Sequence, residues 1–322
     1  KNKNMKTYTL LMVVILAVFV SKAQEFKFKP SGTISETTLV IRNFNSDIVI
    51  DASAGGEIRI VTEDYEGIPE KAKGLKPLSA MGPENTGIGL NVEQKGKEII
   101  VTAASRDASS SDYQFEVPKS MKVKVITENY NSNEISIKGM VNEIEAMSQS
   151  GNIIIDGVTG PIVAKTVTGD ISIVFNSLNQ KFPTSVNSVS GDVDITLQAD
   201  ERGNFMFSSI TGEIFTDLNF QVEQKENSKT RSNKTVDIDI DVHQAEPADA
   251  EEIREQAREL QTHARVLAES TRAMTYAIYN NQDFDWVFNG GVGSSIKATL
   301  NGGGVDFNIN SVSGDIFIRK SK

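Results

Sequence analysis

The chain has 322 residues, enough to bury a substantial core, and it contains no cysteine. Without cysteine, disulfide bonds, thiolate metal sites, a cysteine nucleophile and the lipid-modified cysteine of a bacterial lipoprotein are excluded. The formal charge is −10 at pH 7, and an acidic surface repels nucleic acids and anionic lipid headgroups, so we expect no nucleic-acid partner.

The first 23 residues have the layout of a secretory signal peptide. A basic start, Lys1–Lys6, precedes eleven consecutive apolar residues, Leu10–Val20, and Ser21–Ala23 has a small-x-small cleavage pattern. Eleven residues are too few to cross ~30 Å of hydrocarbon as a helix. We therefore predict export to the periplasm, the outer surface or the medium, with Gln24 as the mature N-terminus and no integral membrane segment. Cleavage removes four lysines and no acids, which changes the charge from −10 to −14.

From Thr37 onward, period-2 alternation of apolar and polar residues predicts a succession of short β-strands. The clearest runs are LVIRNF, DIVIDA, EIRIVTE, LNVEQ, EIIVTAA, YQFEV, MKVKVIT and EISIKG. Two stretches interrupt them. Glu66–Gly89, rich in Pro and Gly, is predicted to be an irregular insertion, and Ser105–Asp112 is predicted to be a polar loop. The sequence thus indicates an all-β protein.

One turn motif recurs through the middle of the chain. It is Ser/Thr-Gly followed by Asp, Asn or Glu, and then by alternating apolar residues. A period of about 20 residues predicts a β-solenoid, in which several coils must stack before the core is stable. In such a coil Ile171 and Ile173 face the core while Ser172 faces outward. The residues that we assign to structural turns are Gly151, Gly169, Asp170, Gly191, Asp192, Gly212, Gly314 and Asp315.

Two interpretations of these turns are open. In the first, glycine supplies a positive φ, and the Ser or Thr before it and the acid after it bond to amides of their own turn. In the second, the turn carboxylates stack into a column that binds Ca²⁺, which takes six to eight oxygen ligands. The column would consist of Asn152, Asp170, Asp192, Glu213 and Asp315.

Pro247–Gln282 predicts one long inserted α-helix. Asp249 and Glu252 form a capping pair at its start, and the apolar positions that follow are spaced as a heptad seam. The seam comprises Ile253, Leu260, Leu267, Met274 and Ile278. The helix either packs on its own solenoid or pairs with the same helix of a second chain to form a homodimer. Trp286 is predicted to anchor the end of the helix in the core.

The most acidic strand is a candidate site for chemistry. In Val236–Val242, three carboxylates, those of Asp237, Asp239 and Asp241, lie ~7 Å apart on one face. They either bind a cation or act as acid and base in a carbohydrate-active β-helix enzyme, or they form the solvated face of an edge strand. The two histidines, His243 and His263, form no metal-binding motif. We predict no catalytic, cofactor or metal site, with this patch as the candidate if one exists.

A family resemblance rests on two stretches. Tyr113–Phe175 contains VPKSMKVKV followed by SGNIIIDGVTGPIVAKTVTGDISI, and Gly293–Arg319 contains a GGG turn followed by SVSGDIFI. This pattern resembles the bacterial putative-adhesin family of secreted β-solenoid proteins (DUF4097/DUF2807-like). The resemblance implies a right-handed β-helix or β-roll-like solenoid at the cell envelope or outside the cell, and it offers no catalytic residue to carry over.

The predicted organisation therefore has four parts. They are a signal peptide (1–23), a β-solenoid (24–246) with an insertion at 66–89, an inserted helix (247–282) and closing coils of the same solenoid (283–322). The predicted function is that of an exported, non-catalytic, adhesin-like interaction or structural protein, whose partner is a protein or glycan at the cell envelope. The alternatives are the carbohydrate-active enzyme and an envelope scaffold that self-assembles through the heptad helix.

Overall fold

A computed structural model describes residues 24–67, 71, 75, 82–128, 133–223 and 294–321. In these residues the protein is all-β, and each of the eight predicted strand runs forms a strand. One α-helix, α1 (Arg106–Ser110), and a 3-10 turn at Ile34–Glu36 accompany the strands. No helix of this part of the chain is long and apolar enough to cross a membrane.

Several predictions lie outside the described residues. They are the signal peptide (1–23), the helix at 247–282 with its seam, the carboxylates of Asp237, Asp239 and Asp241, the two histidines and Trp286. Each of these stays a prediction. Only part of the insertion at 66–89 is described, and its described residues contain no strand.

Ten of the described strands form sheet A. In spatial order they are β1 (Gln24–Phe28), β4 (Ile58–Thr62), β7 (Tyr113–Pro118), β3 (Ile48–Ser53), β9 (Ile135–Lys138), β11 (Ile153–Val158), β13 (Ile171–Phe175), β15 (Val193–Leu197), β21 (Ile316–Lys320) and β17 (Ile214–Thr216). Neighbours from β7 to β17 are parallel. Antiparallel β1 and β4 form the N-terminal end of the sheet, and β1 is a strand that the sequence patterns did not predict.

Eleven of the described strands form sheet B. In spatial order they are β18 (Phe220–Val222), β19 (Ser294–Leu300), β16 (Gly203–Ser209), β20 (Val305–Ser311), β14 (Thr184–Ser190), β12 (Ile162–Thr168), β10 (Ile144–Ser150), β8 (Lys122–Thr127), β2 (Thr38–Arg42), β6 (Glu98–Ala103) and β5 (Leu90–Lys95). Neighbours from β16 to β6 are parallel. Antiparallel strands, β5 at one end and β19 with β18 at the other, terminate the sheet.

Each coil crosses from sheet B to sheet A through the repeated turn and returns through a second loop. Gly169 and Asp170, for example, join β12 to β13. The return loops differ in length, since residues 159–161 connect β11 to β12 whereas residues 176–183 connect β13 to β14. The unequal spacing of the glycines Gly151, Gly169 and Gly191 therefore arises in the return loops.

The core consists of apolar columns that run through the stack. Ile173 lies in register with Ile155 on one neighbouring strand and with Ile195 on the other, and all three are fully buried. Burying each such side chain contributes about 1.5–3 kcal/mol relative to leaving it exposed. The outward residues Ser172 and Asp194 are only partly buried, as period-2 alternation predicts.

The last coil of the chain lies inside the stack. β20 pairs with β14 on one side and with β16 on the other, and β21 lies between β15 and β17. The expectation that the C-terminal coils close the solenoid is therefore wrong for β20 and β21. The coil formed by β16 and β17 has the same turn pattern as the last coil, so the pattern does not distinguish which of them stacks on β14 and β15.

A second correction concerns Ser105–Asp112, which we predicted to be a polar loop. Residues Arg106–Ser110 form α1, and the Ser105 side chain accepts a hydrogen bond from the Ala108 amide at its N-terminus. A serine N-cap satisfies an amide that the first helical turn leaves unpaired. Ala108 is fully buried, so one helical turn anchors this connection to the core.

Candidate functional site: the coil turns and the terminal coil

The turn glycines stack so closely that a side chain has no room. A Cβ at Gly191 would come within 3.0 Å of the Gly169 carbonyl, and one at Gly314 would meet the Gly191 carbonyl in the same way. Positive φ explains only some of these glycines. Gly151, Gly169 and Gly191 have φ of 128°, 135° and 147°, whereas Gly212 and Gly314 are not in the left-handed region. For the last two, close approach of the neighbouring coil is the reason for glycine.

The acidic turn residues join one coil to the next. The Asp192 amide donates to Oδ1 of Asp170 at 2.8 Å, and the Asp315 amide donates to Oδ1 of Asp192 at 2.8 Å. The same bond links Asp170 to Asn152 and Glu213 to Asp315. The first interpretation, in which each acid caps its own turn, is therefore wrong, because its acceptor oxygen serves the neighbouring coil.

This role predicts which substitutions of Asp192 are tolerated. Asp192→Asn keeps the Oδ1 acceptor, so we expect the free energy of unfolding to change by less than about 0.5 kcal/mol. Asp192→Ala removes the acceptor of the Asp315 amide and should cost about 0.5–1.5 kcal/mol in urea unfolding. If Asn proves as costly as Ala, the charge rather than the acceptor is what matters, and the interpretation fails.

A column of buried hydroxyls lies three residues before each turn glycine. Thr166, Ser188 and Ser311 donate to the carbonyls of Gly151, Gly169 and Gly191, at 3.3–3.4 Å. All three side chains are 0% exposed. The sequence patterns did not lead us to these residues, because we assigned the bonding role to the Ser or Thr directly before glycine. The signal was present, because every copy reads Ser/Thr-x-Ser/Thr-Gly.

Ser311 gives a direct test of this column. Its Oγ also accepts the Gly314 amide at 2.9 Å, so Ser311→Ala leaves a buried amide without that acceptor. We expect a loss of about 1–3 kcal/mol in the free energy of unfolding. Ser190→Ala is the matched control, because Ser190 directly precedes a turn glycine and is exposed. Equal effects of the two substitutions in urea unfolding would contradict the assignment.

The described residues do not support the calcium interpretation. They hold no group of three or more His, Asp or Glu side chains placed to bind a metal ion. One oxygen of each of Asp170, Asp192 and Asp315 already accepts the amide of the neighbouring coil. We therefore interpret the acidic column as part of the scaffold.

A second acidic group lies where β4 meets β7. The carboxylate of Asp64 accepts the Asp112 amide at 3.1 Å. Burial, reinforced by the charges of Asp64 and Asp47, raises the pKa of Asp112. Next to it, the Tyr113 hydroxyl donates to the Ile88 carbonyl at 2.8 Å, and burial raises the pKa of Tyr113. These contacts tie strands and loops together at the N-terminal end.

The coil formed by β16 and β17, which we call the terminal coil, carries Phe215 on its outward face. Phe215, on the outermost strand of sheet A, stacks on Phe317 with ring centroids 5.4 Å apart and planes at 13°. The Arg319 guanidinium lies over the Phe317 ring, 4.9 Å from its centroid. Arg319 Nε donates to Oδ2 of Asp194 at 2.7 Å. Phe215 remains 44% exposed.

Two solved structures and one family model are similar to this chain. One structure is described as a "putative cell adhesion protein" from Clostridium sporogenes, with 11% identity, a TM-score of 0.38, and coverage of 93% of this chain and 100% of that one. Another is a "putative adhesin" from Bacteroides fragilis, with 8% identity, a TM-score of 0.31, and coverage of 93% and 97%. The search of curated proteins found no match. The sequence model described as Toastrack DUF4097 matches residues 67–246, more than half of the 322 residues. The chain therefore belongs to the Toastrack DUF4097 family.

Proposed function

We propose that the protein is an exported, non-catalytic, adhesin-like interaction protein of the cell envelope. One observation carries this proposal: the repeated polar residues of the motif bond coil to coil. Asp170 and Asp192 accept amides of neighbouring coils, and Ser188 and Ser311 donate to neighbouring carbonyls. The repeat thus builds a scaffold, and contacts with other molecules are left to outward side chains and to the ends of the stack.

The partner that we propose is a protein or glycan of the envelope. The resemblance to adhesins noted from the sequence and the signal-peptide pattern of residues 1–23 support this location. The enzyme alternative rests on residues 236–242 and the scaffold alternative on residues 247–282, and both ranges lie outside the described residues. No contact within the described part of the chain favours either alternative.

Fractionation of bacteria that produce the full chain tests this proposal. We expect the processed protein in the envelope or periplasmic fraction, and purified processed protein should bind isolated envelopes. Leu16→Arg interrupts the apolar run and should leave the chain unprocessed in the cytoplasm. Cytoplasmic wild-type protein, or processed protein that does not bind envelopes, would contradict the proposal.

A further inference from the structure

We propose that the terminal coil binds a basic segment of another polypeptide, with an arginine or lysine side chain on the outer face of Phe215 and beside Glu213. This inference extends the proposed function by naming a surface and the chemistry of its partner. It depends on an open aromatic ring, a free carboxylate and the charge of their surroundings.

The open ring face follows from the position of β17. Phe215 and Phe317 are in register, and their rings stack. β17 is the outermost strand of sheet A, so no described strand covers the side of Phe215 that faces away from Phe317. The other sheet ends finish in antiparallel strands, and this end finishes in three residues of parallel strand.

The neighbouring strand already holds a cation over an aromatic ring. The Arg319 guanidinium lies 4.9 Å from the centre of the Phe317 ring and bonds to the Asp194 carboxylate. One strand further out, the terminal coil again offers a ring and a carboxylate, those of Phe215 and Glu213. Among the described residues, no lysine or arginine pairs with Glu213, and in our proposal the partner supplies the cation.

Charge complementarity favours a cationic partner. The acids of four successive coils lie along the same edge of the stack and end at Glu213, and the whole chain is acidic. Such a field attracts basic segments and speeds their association. Addition of a partner strand is disfavoured, because β17 is very short and is flanked by Glu213 and Asp217. The Phe215 ring and the Glu213 carboxylate are therefore the groups of the terminal coil that we expect a partner to contact.

The test is a titration of fluorescently labelled hexa-arginine with the full chain, followed by anisotropy. A cation over an exposed ring is worth about 0.5–1 kcal/mol, so Phe215→Leu should weaken binding about two- to five-fold. Glu213→Gln should weaken binding by a similar factor, and added salt should weaken it further. Two matched controls should bind as wild type does. Phe182→Leu changes an exposed ring elsewhere, and Glu57→Gln removes an exposed acid near the opposite end.

Four results would overturn the inference. In the first, Phe215→Leu binds as tightly as wild type while its unfolding midpoint is unchanged. In the second, Glu57→Gln weakens binding as much as Glu213→Gln, which indicates diffuse attraction to an acidic surface. In the third, hexa-arginine does not bind, and a neutral dextran binds in a Phe215-dependent manner, which assigns the ring to a glycan. If Phe215→Leu still binds envelopes fully, this surface is wrong and the proposed function stands.

Discussion

Gly191→Ala is expected to destabilise the protein by about 2–6 kcal/mol, because it combines two unfavourable effects. The new Cβ would lie within 3.0 Å of the Gly169 carbonyl and of Asp170 Oδ1. It would also hold a non-glycine residue at φ 147°, in a region that L side chains rarely adopt. Since the neighbour is backbone, relief requires the two coils to move apart. Urea unfolding monitored by circular dichroism measures the loss.

Two control substitutions separate the two effects. Gly96→Ala places alanine at φ 62° with no atom within 4 Å of the new Cβ, so it should cost only about 1 kcal/mol. Gly314→Ala creates the close contact with Gly191 without a left-handed φ, and it should cost about 1–3 kcal/mol. If Gly314→Ala costs less than Gly96→Ala, close stacking of the turns is not what requires glycine.

Phe307→Ala is expected to cost about 3–5 kcal/mol, the range for a large aromatic removed from a core. Phe307 is fully buried, stacks on Phe205 with centroids 4.5 Å apart, and meets the edge of Phe175 at 5.9 Å. Phe307 lies on β20, which pairs with β14 on one side and with β16 on the other. Its loss therefore weakens contacts on both sides of the last coil of the chain. Thermal and urea unfolding would both report the loss.

The matched control for Phe307 lies on the same coil. Phe317 faces outward on β21 and loses only its stacking on Phe215 and the contact with Arg319, so Phe317→Ala should cost about 0.5–1.5 kcal/mol. A small effect of Phe307→Ala, similar to that of Phe317→Ala, would mean that the last coil packs loosely on the outside of the stack. That outcome is incompatible with pairing of β20 to both β14 and β16.

The local structure followed from the sequence because short-range chemistry determines it. Alternation in runs such as EISIKG identified strands, and it assigned Ile171 and Ile173 to the inner face. The same alternation, extended by one step from Phe307 and Ile309, identifies Ser311 as a third inward residue. The buried hydroxyls were overlooked because only apolar residues were assigned to the inner face.

The stacking order did not follow from the sequence, because the coils are too similar. Gly212 lies in SITGEIFT and Gly314 in SVSGDIFI, and these similar motifs do not indicate which glycine stacks on Gly191. The choice between them depends on pairings between strands distant in sequence, such as β16 with β19. The Phe215–Phe317 pair depends on that order, so no local pattern predicts it.

Disulfide mapping tests most directly whether the coil formed by β20 and β21 lies inside the stack. The chain has no native cysteine, so only the introduced pairs can form a disulfide. Asp194 and Phe317 are register partners on adjacent strands, as are Phe317 and Phe215, and strands ~4.8 Å apart allow a disulfide. Asp194 and Phe215 are separated by β21, beyond disulfide reach. We predict that the double variants Asp194→Cys/Phe317→Cys and Phe215→Cys/Phe317→Cys form intrachain disulfides under mild oxidation, and that Asp194→Cys/Phe215→Cys does not. A disulfide in the third variant, with none in the first, would show that the coils stack in chain order and would contradict this fold.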